Sequence, residues 1–384
     1  MFAGVLAGFE KASARGPASE AVAVVTPPDV VSAPPRMWGD GAPVGYAPDP
    51  DIIVEDPSFR DLLYGNALLT QAWRGDVKWL EGPAWCVEGR FLLVSDVIGS
   101  VQYRYSDNER TMAVFRKESY HSNGNTFDAD GRLISCEHGL RRVIRWEHDG
   151  RCQVLADACE GKHLNSPNDV VVHPDGGVWF TDPPFGDRLW EGHPDAPAGP
   201  GGGTVRWDLD AEVLTEMGGR VSQPGRVYRV DPKTGEVAAV LSEGQLFGPN
   251  GLCFSPDGKT LYVVSSGRKG GGANEAFPIY AFDVSAGMLS GQRVFCDMMV
   301  GGRALIADGV RADVAGNIWV GTSGPVGLCG VLVFNPAGKR IGRLRLPRGI
   351  SNLTFGGTQR DRLFMCAQDA IFTLDVATQG AGFS

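Results

Sequence analysis

The chain has 384 residues, of which 43% are hydrophobic and 21% charged, and a formal net charge of -9. This composition excludes a wholly disordered chain, and the apolar runs fall well short of the ~18 residues of a membrane span. The acidic balance argues against broad nucleic-acid binding, which needs a basic face.

Glu10 and Lys11 interrupt the first apolar run, so the start does not read as a secretory signal and a cytoplasmic location is expected. Residues 12–50 are rich in Ala, Pro and Gly and read as a loose arm. Residues 55–74 are predicted to hold one or two short helices starting at Asp56 and Pro57, with Leu62, Leu63, Leu68 and Leu69 toward the core. An N-terminal arm over 1–74 is therefore expected ahead of a repetitive body over 75–384.

Repetition begins near residue 78. An apolar stretch, a tight turn and a second apolar stretch recur six times, as in NTFDADGRLISCEH (125–138) and GLCFSPDGKTLYVVSS (251–266). The turn glycines Gly89, Gly131, Gly176, Gly258 and Gly316 are 42, 45, 82 and 58 residues apart, and the longest gap holds a Gly/Pro-rich insert, 187–224. Asp-Gly turns join antiparallel strands, and a second hairpin follows each first one. Four-stranded units repeating every 40–50 residues or so predict an all-β fold, a six-bladed β-propeller. The last unit runs out at IFTLDVAT (371–378), so an N-terminal strand is expected to complete it.

The eight cysteines form no C-x-x-C pair and many sit in strand-like runs. Buried free thiols are expected, with one or two disulfides left open.

Polar residues recur just ahead of the first strand of successive units: Glu81, Asn125, Asn168, Asn250 and Asp308. In a propeller those strands line the central channel, so the five side chains would converge at one mouth. Asn before Gly or Asp is also a common turn residue, because it tolerates left-handed backbone. Five aligned positions favour a shared site. Two carboxylates with amides form an oxygen-rich set suited to Ca2+ or Mg2+, and less to Mn2+ or Zn2+. A cation with an open position can polarise a carbonyl, and a partly desolvated carboxylate can take a proton from water. Hydrolysis of an ester-like bond is therefore the expected chemistry; the sequence has no G-x-S-x-G elbow for a Ser/His alternative and no P-loop Lys-Ser/Thr for nucleotide binding.

The stretches EGPAW, NGNTFDADGRLISCEHGLRRVIR, LNSPNDVVVHPDGGVWFTDPPFG, GRVYRVDP, PNGLCFSPDGKTLYV and ADGVRADVAGNIWVG resemble the SMP-30/gluconolactonase family, especially its bacterial gluconolactonase branch. The resemblance implies a six-bladed propeller with one catalytic divalent cation, Ca2+ first and Mg2+, Mn2+ or Zn2+ as alternatives. It implies hydrolysis of a sugar lactone to the hydroxy acid. By motif, Glu81, Asn168, Asn250 and Asp308 would be metal ligands, and Asp308 also the general base. Asn125, Glu137, His138 and Asp169 would lie on the substrate side, with Asp169 also steadying its neighbour Asn168. Glu137 and His138 read equally well as groups hydrogen-bonded at a sheet end. His163 and Asp182 are further pocket candidates, and Trp190 on the insert a stacking wall. Ser166 departs from the animal members, which carry Arg two positions before the equivalent of Asn168. A non-sugar lactone or an organophosphate therefore stays open as substrate, and so does a non-catalytic ligand-binding propeller. The expected partner is a small lactone, without nucleic acid, membrane or organic cofactor, and a homo-oligomer is left open.

Overall fold

A computed structural model describes residues 36–39, 41–42, 48–183, 185, 224–241, 244–266 and 277–382. Strand β1 (Ile52–Val54), a 3-10 helix (Pro57–Leu62) and β2 (Thr70–Arg74) come first. Blade 1 is β3 (Leu80–Cys86), β4 (Phe91–Asp96), β5 (Val101–Ser106) and β6 (Thr111–Lys117). Blade 2 is β7 (Ser122–Phe127), β8 (Leu133–Glu137), β9 (Arg142–Trp146) and β10 (Cys152–Ala156). The small hairpin β11 (Ala158–Cys159) and β12 (Lys162–His163) leads into blade 3. That blade is β13 (Val170–Val172), β14 (Val178–Asp182), β15 (Arg226–Val230) and β16 (Val237–Ala239). Blade 4 is β17 (Pro249–Phe254), β18 (Thr260–Ser265), β19 (Ile279–Ser285) and β20 (Met288–Cys296). After the hairpin β21 (Met299–Val300) and β22 (Arg303–Ala304), blade 5 is β23 (Ile306–Ala312), β24 (Ile318–Ser323), β25 (Gly330–Phe334) and β26 (Arg340–Arg345). Blade 6 is β27 (Asn352–Gly356), β28 (Arg362–Ala367) and β29 (Ala370–Asp375).

The architecture is a six-bladed β-propeller. Within each blade the strands are antiparallel and follow sequence order from the channel outward. β2 pairs with β29 and supplies the fourth strand of blade 6, so segments from opposite parts of the chain close the ring. β1 adds a fifth strand outside β26, which the repeat pattern did not signal. The second strands β4, β14, β24 and β28 are nearly continuous apolar runs because neighbouring blades cover both of their faces. Trp179 and Trp319 are fully buried among them. The outermost strand β6 is mostly exposed, and its sequence loses that apolar continuity.

The turns explain the recurring glycines. Gly131, Gly176, Gly258 and Gly316 all have positive φ, between 69° and 85°. Asp128 and Asp313 open two of these turns, and their carboxylates accept backbone N–H bonds from across the turn. In blade 1 the left-handed residue is Arg90 (φ 51°) rather than Gly89.

Between residues 48 and 74 a single 3-10 helix forms, not two helices. Asp56 accepts from the Ser58 N–H at 3.0 Å and Pro57 fills the first helical turn. Leu62 and Leu69 are buried, while Leu63 and Leu68 are half-buried. Ion pairs pin this strap to the propeller. Arg36 contacts Asp49 at 2.7 Å and Asp51 at 2.6 Å, and Asp51 also meets Arg345 of β26 at 2.7 Å. Asp49 accepts the Leu69 N–H as well, at 2.9 Å. Replacing Asp49 by Ala would remove one of the two carboxylates that hold the partly buried Arg36 guanidinium and take the acceptor from the Leu69 amide, with an expected loss of about 2–3 kcal/mol. Equilibrium unfolding checks this; unchanged stability would mean that strand pairing alone holds the strap.

The C-terminal run crosses the far end of the channel. Val314 N–H donates to Gln379 O and Ala381 N–H to Ala312 O, both at close to ordinary length (2.8 and 2.9 Å). Ala381 and Gly382 border a small cavity of about 40 Å³ against blades 3, 4 and 5. All eight cysteines are free, and only Cys152 is exposed. Burial pushes the Cys253 thiol up to about 12 and the Cys136 and Cys366 thiols well above the usual range, so none of these three is a ready thiolate. Among the described residues no helix is long and apolar enough to cross a membrane. Most of the insert 187–224, with Trp190, and residues 1–35 of the arm lie outside the described residues.

Candidate functional site at the channel mouth

Four innermost strands are interrupted near their starts by a bulge: between Glu81 and Ala84, Ser122 and Asn125, Pro249 and Leu252, and Ala307 and Val310. Each bulge carries a polar residue followed by glycine: Glu81-Gly82, Asn123-Gly124, Asn250-Gly251 and Asp308-Gly309. The glycines are required because the next inner strand approaches there. A Cβ on Gly82 (φ +52°) would overlap the Asn123 carbonyl, and one on Gly251 the Asp308 carbonyl. Bulges re-aim side chains, and here they do so at the same level of four blades.

A hydrogen-bonded ring results. Asn123 Nδ2 donates to Asn168 Oδ1 at 2.8 Å, Asn168 Nδ2 to Asn250 Oδ1 at 2.7 Å, and Asn250 Nδ2 to Ser266 Oγ at 3.1 Å. Ser266 Oγ donates to the carbonyl of Ala307, beside Asp308, at 2.9 Å. Gly309 N–H donates to Ser351 O at 2.8 Å, and Ser351 Oγ to the carbonyl of Leu80, beside Glu81, at 2.6 Å. Asn125 Nδ2 then joins Gly82 O (2.8 Å) to Asn123 O (2.9 Å), which completes the circuit through all six blades.

Glu81, Asn168 and Asn250 are buried at this level, and Asp308 is half-buried. Two carboxylates and two carboxamides, if turned to one point, would make a hard oxygen set. Asn168 Oδ1 accepts from Asn123 and Asn250 Oδ1 from Asn168, and a carboxamide oxygen offers two lone pairs in all. Among the described residues no group of three or more His, Cys, Asp or Glu side chains could hold a metal. A cation at the mouth would therefore depend on the amides, and such a set fits Ca2+ or Mg2+ better than Zn2+.

Two expectations are corrected. Asn125 was expected at the substrate, but it is an inter-blade clamp: its oxygen accepts from Gln102 and Ser135, both at 2.7 Å, and its nitrogen serves Gly82, Ser95 and Asn123. Its neighbour Asn123 occupies the bulge position. The repeated polar-Gly step would have selected Asn123 from the sequence. Glu137 was also expected at the substrate. Its side chain is fully buried and both oxygens are taken, by Arg116 at 2.8 Å and Arg142 at 2.7 Å. It is a sheet-end ion-pair hub.

His138 does reach the ring. Its Nε2 lies 3.4 Å from Asn123 Nδ2. Burial, with His121 nearby, pushes its pKa down to about 3, so the imidazole is neutral at ordinary pH. Asp169 follows Asn168 directly, accepts from Val170 N–H at 3.0 Å and pairs with Arg311 at 3.3 Å. Asp182 accepts from the Asn165 and Ser166 N–H groups at 2.9 and 2.8 Å, so it shapes the loop before Asn168. His163 is exposed on β12. Ser166 is buried and its hydroxyl donates to Pro183 O at 2.6 Å. Ser266, Ser351 and Arg311 were not singled out in the sequence, because none carries a motif of its own.

Comparisons with known proteins bear on the family and the fold. A gluconolactonase of Zymomonas mobilis is 28% identical over 325 residues, 79% of this chain and 80% of its own. A lactonohydrolase of Aspergillus oryzae is 25% identical over 60% of this chain and 49% of its own length. A solved gluconolactonase from Xanthomonas campestris superposes with a TM-score of 0.70 at 31% identity, covering 89% of this chain and 99% of that one. A luciferin-regenerating enzyme, at 16% identity and a TM-score of 0.61, shares the fold. A profile of the SMP-30/Gluconolactonase/LRE-like region matches residues 79–369, and on that match the chain belongs to this family.

Proposed function

We propose that this protein is a metal-dependent lactonase that opens a sugar lactone to its hydroxy acid. The observation that supports the reading is that Glu81, Asn250 and Asp308 stand at the bulged starts of three inner strands, with Asn168 hydrogen-bonded to Asn250 on a ring tied through every blade. The names of the relatives support the same reaction class. Glu81, Asn168, Asn250 and Asp308 would hold one divalent cation, Ca2+ ahead of Mg2+, Mn2+ or Zn2+, which supplies polarisation of the lactone carbonyl and stabilises the developing oxyanion.

Asp308 is the general base in this reading. It is the half-buried carboxylate of the four, so water can reach it, whereas Glu81 is buried. It takes a proton from water as the water oxygen bonds to the carbonyl carbon. The bond between that carbon and the ring oxygen then breaks, and the ring oxygen leaves as a hydroxyl on taking the proton that Asp308 holds, which returns Asp308 to its carboxylate form. Asn123 and the neutral His138 present polar edges to the substrate. The C-terminal run at the far end leaves the mouth as the route of entry and exit.

A second reading has its own observation. Tyr120, Leu140, Phe247 and Val326 are exposed. All four sit in connections at the mouth end of blades 2, 4 and 5. With Ser166 bonded to Pro183 in place of an arginine, this rim suits a lactone bearing an apolar substituent. The test strips the protein with chelator, restores Ca2+, Mg2+, Mn2+ or Zn2+ singly, and follows acid release above spontaneous opening. Glucono-1,5-lactone and an aromatic lactone are the two substrates. Sugar-lactone turnover returning with Ca2+ is expected. Turnover of the aromatic lactone alone selects the second reading, and none on either substrate with metal bound overturns both.

A further inference from the structure

We propose that Arg311 sets the charge of the channel so that one divalent cation balances it. The inference rests on the cation reading above and adds a residue which that reading does not use. Arg311 lies three positions beyond Asp308 on β23, deeper along the channel wall. Its guanidinium crosses from blade 5, past blade 4, to Asp169 of blade 3, with Nη1 3.3 Å from Oδ2. Both side chains are only 1% exposed.

The contact is a poor one for stability alone. It is single rather than bidentate, and the same Nη1 also donates to Val310 O at 2.7 Å. Arg311 Nε is buried and has no hydrogen-bond partner among the described residues. Burying two charges costs desolvation that a well-packed apolar pair of the same shape avoids. The pair therefore calls for a role beyond packing, and its position supplies one. Glu81 and Asp308 stand at the ring, and Asp169 and Arg311 stand just below it. Three carboxylates and one guanidinium leave two net negative charges, which a single divalent cation neutralises. In a low-dielectric channel an uncompensated charge is felt strongly at the cation.

Opposite signs for the two halves of the pair separate this role from a structural one. Arg311→Met makes the channel more negative and is expected to hold or tighten Ca2+ binding. Asp169→Asn leaves one negative charge fewer and is expected to weaken it by on the order of tenfold. The double variant Asp169→Asn/Arg311→Met restores the balance and is expected to bind within about threefold of wild type. Titration calorimetry of chelator-stripped protein with Ca2+, alongside thermal melting, reads these outcomes. A structural brace would weaken binding in both single variants, and that result overturns the proposal while leaving the lactonase reading intact. If the single variants fail to fold, Arg311→Lys, which keeps the charge, and the double variant carry the test. Loss of more than about tenfold in either one overturns the proposal. Wild-type protein that binds none of Ca2+, Mg2+, Mn2+ or Zn2+ instead removes the cation reading itself, and this inference with it.

Discussion

Asp308→Asn is expected to lower kcat on the lactone by about 10²–10⁴-fold while the fold persists, the range by which a positioned general base accelerates proton transfer. The substitution keeps the side chain's shape and one oxygen but removes the proton acceptor. It sits at a bulge whose backbone is fixed independently, by Ser266 on the Ala307 carbonyl and by the Gly309 N–H on Ser351. The melting temperature should therefore move little. Steady-state kinetics at saturating cation, with thermal melting as control, decide it. Near-wild-type kcat would place the base elsewhere on the ring, with Glu81 the next candidate.

Glu137→Ala is expected to cost about 3 kcal/mol of stability, the lower end of the range for breaking a buried ion pair, because Arg116 and Arg142 keep some solvent contact. The effect should also spread. Arg116 Nε donates to Gln102 Oε1 at 2.9 Å, and Gln102 Nε2 donates to Asn125 Oδ1, the amide that clamps Gly82 to Asn123. Loosening this chain loosens the backbone beside Glu81. Denaturant unfolding should show the loss in the absence of any substrate. A raised KM with unchanged stability would be the signature of a sugar contact and would reverse the assignment of Glu137.

The difference between these two carboxylates shows how far sequence reasoning reaches. Asp308 lies in a polar-Gly step that recurs at four blades, so its position relative to the channel follows from the repeat. Glu137 ends a second strand, where the repeat says nothing about its neighbours. Its partners come from β6 and β9, 21 positions before it and 5 after it. The same holds for Asn125 and Asn123. Both lie in one short stretch, and only the bulge between Ser122 and Asn125 decides which faces the ring and which wedges between blades. Residues two apart share a face in a regular strand, so the one-residue bulge is what turns Asn123 and Asn125 to different sides.

By itself the sequence determined the six repeats, the antiparallel hairpins with left-handed glycines in the turns of four of them, and the need for an N-terminal strand to finish the last blade. These are local properties of period and turn chemistry, written within each repeat. The polar-Gly step ahead of the inner strands is equally local, and equivalent positions in a closed ring of blades lie at one level. Tertiary structure alone decided the fifth strand on blade 5, the ion pairs that hold the strap, the arginines that occupy Glu137, and the reach of Arg311 across 142 positions to Asp169. Apart from Arg142, which shares blade 2 with Glu137, those partners come from another blade or from the strap, and a long side chain's partner is set by how these pack, which no single repeat encodes.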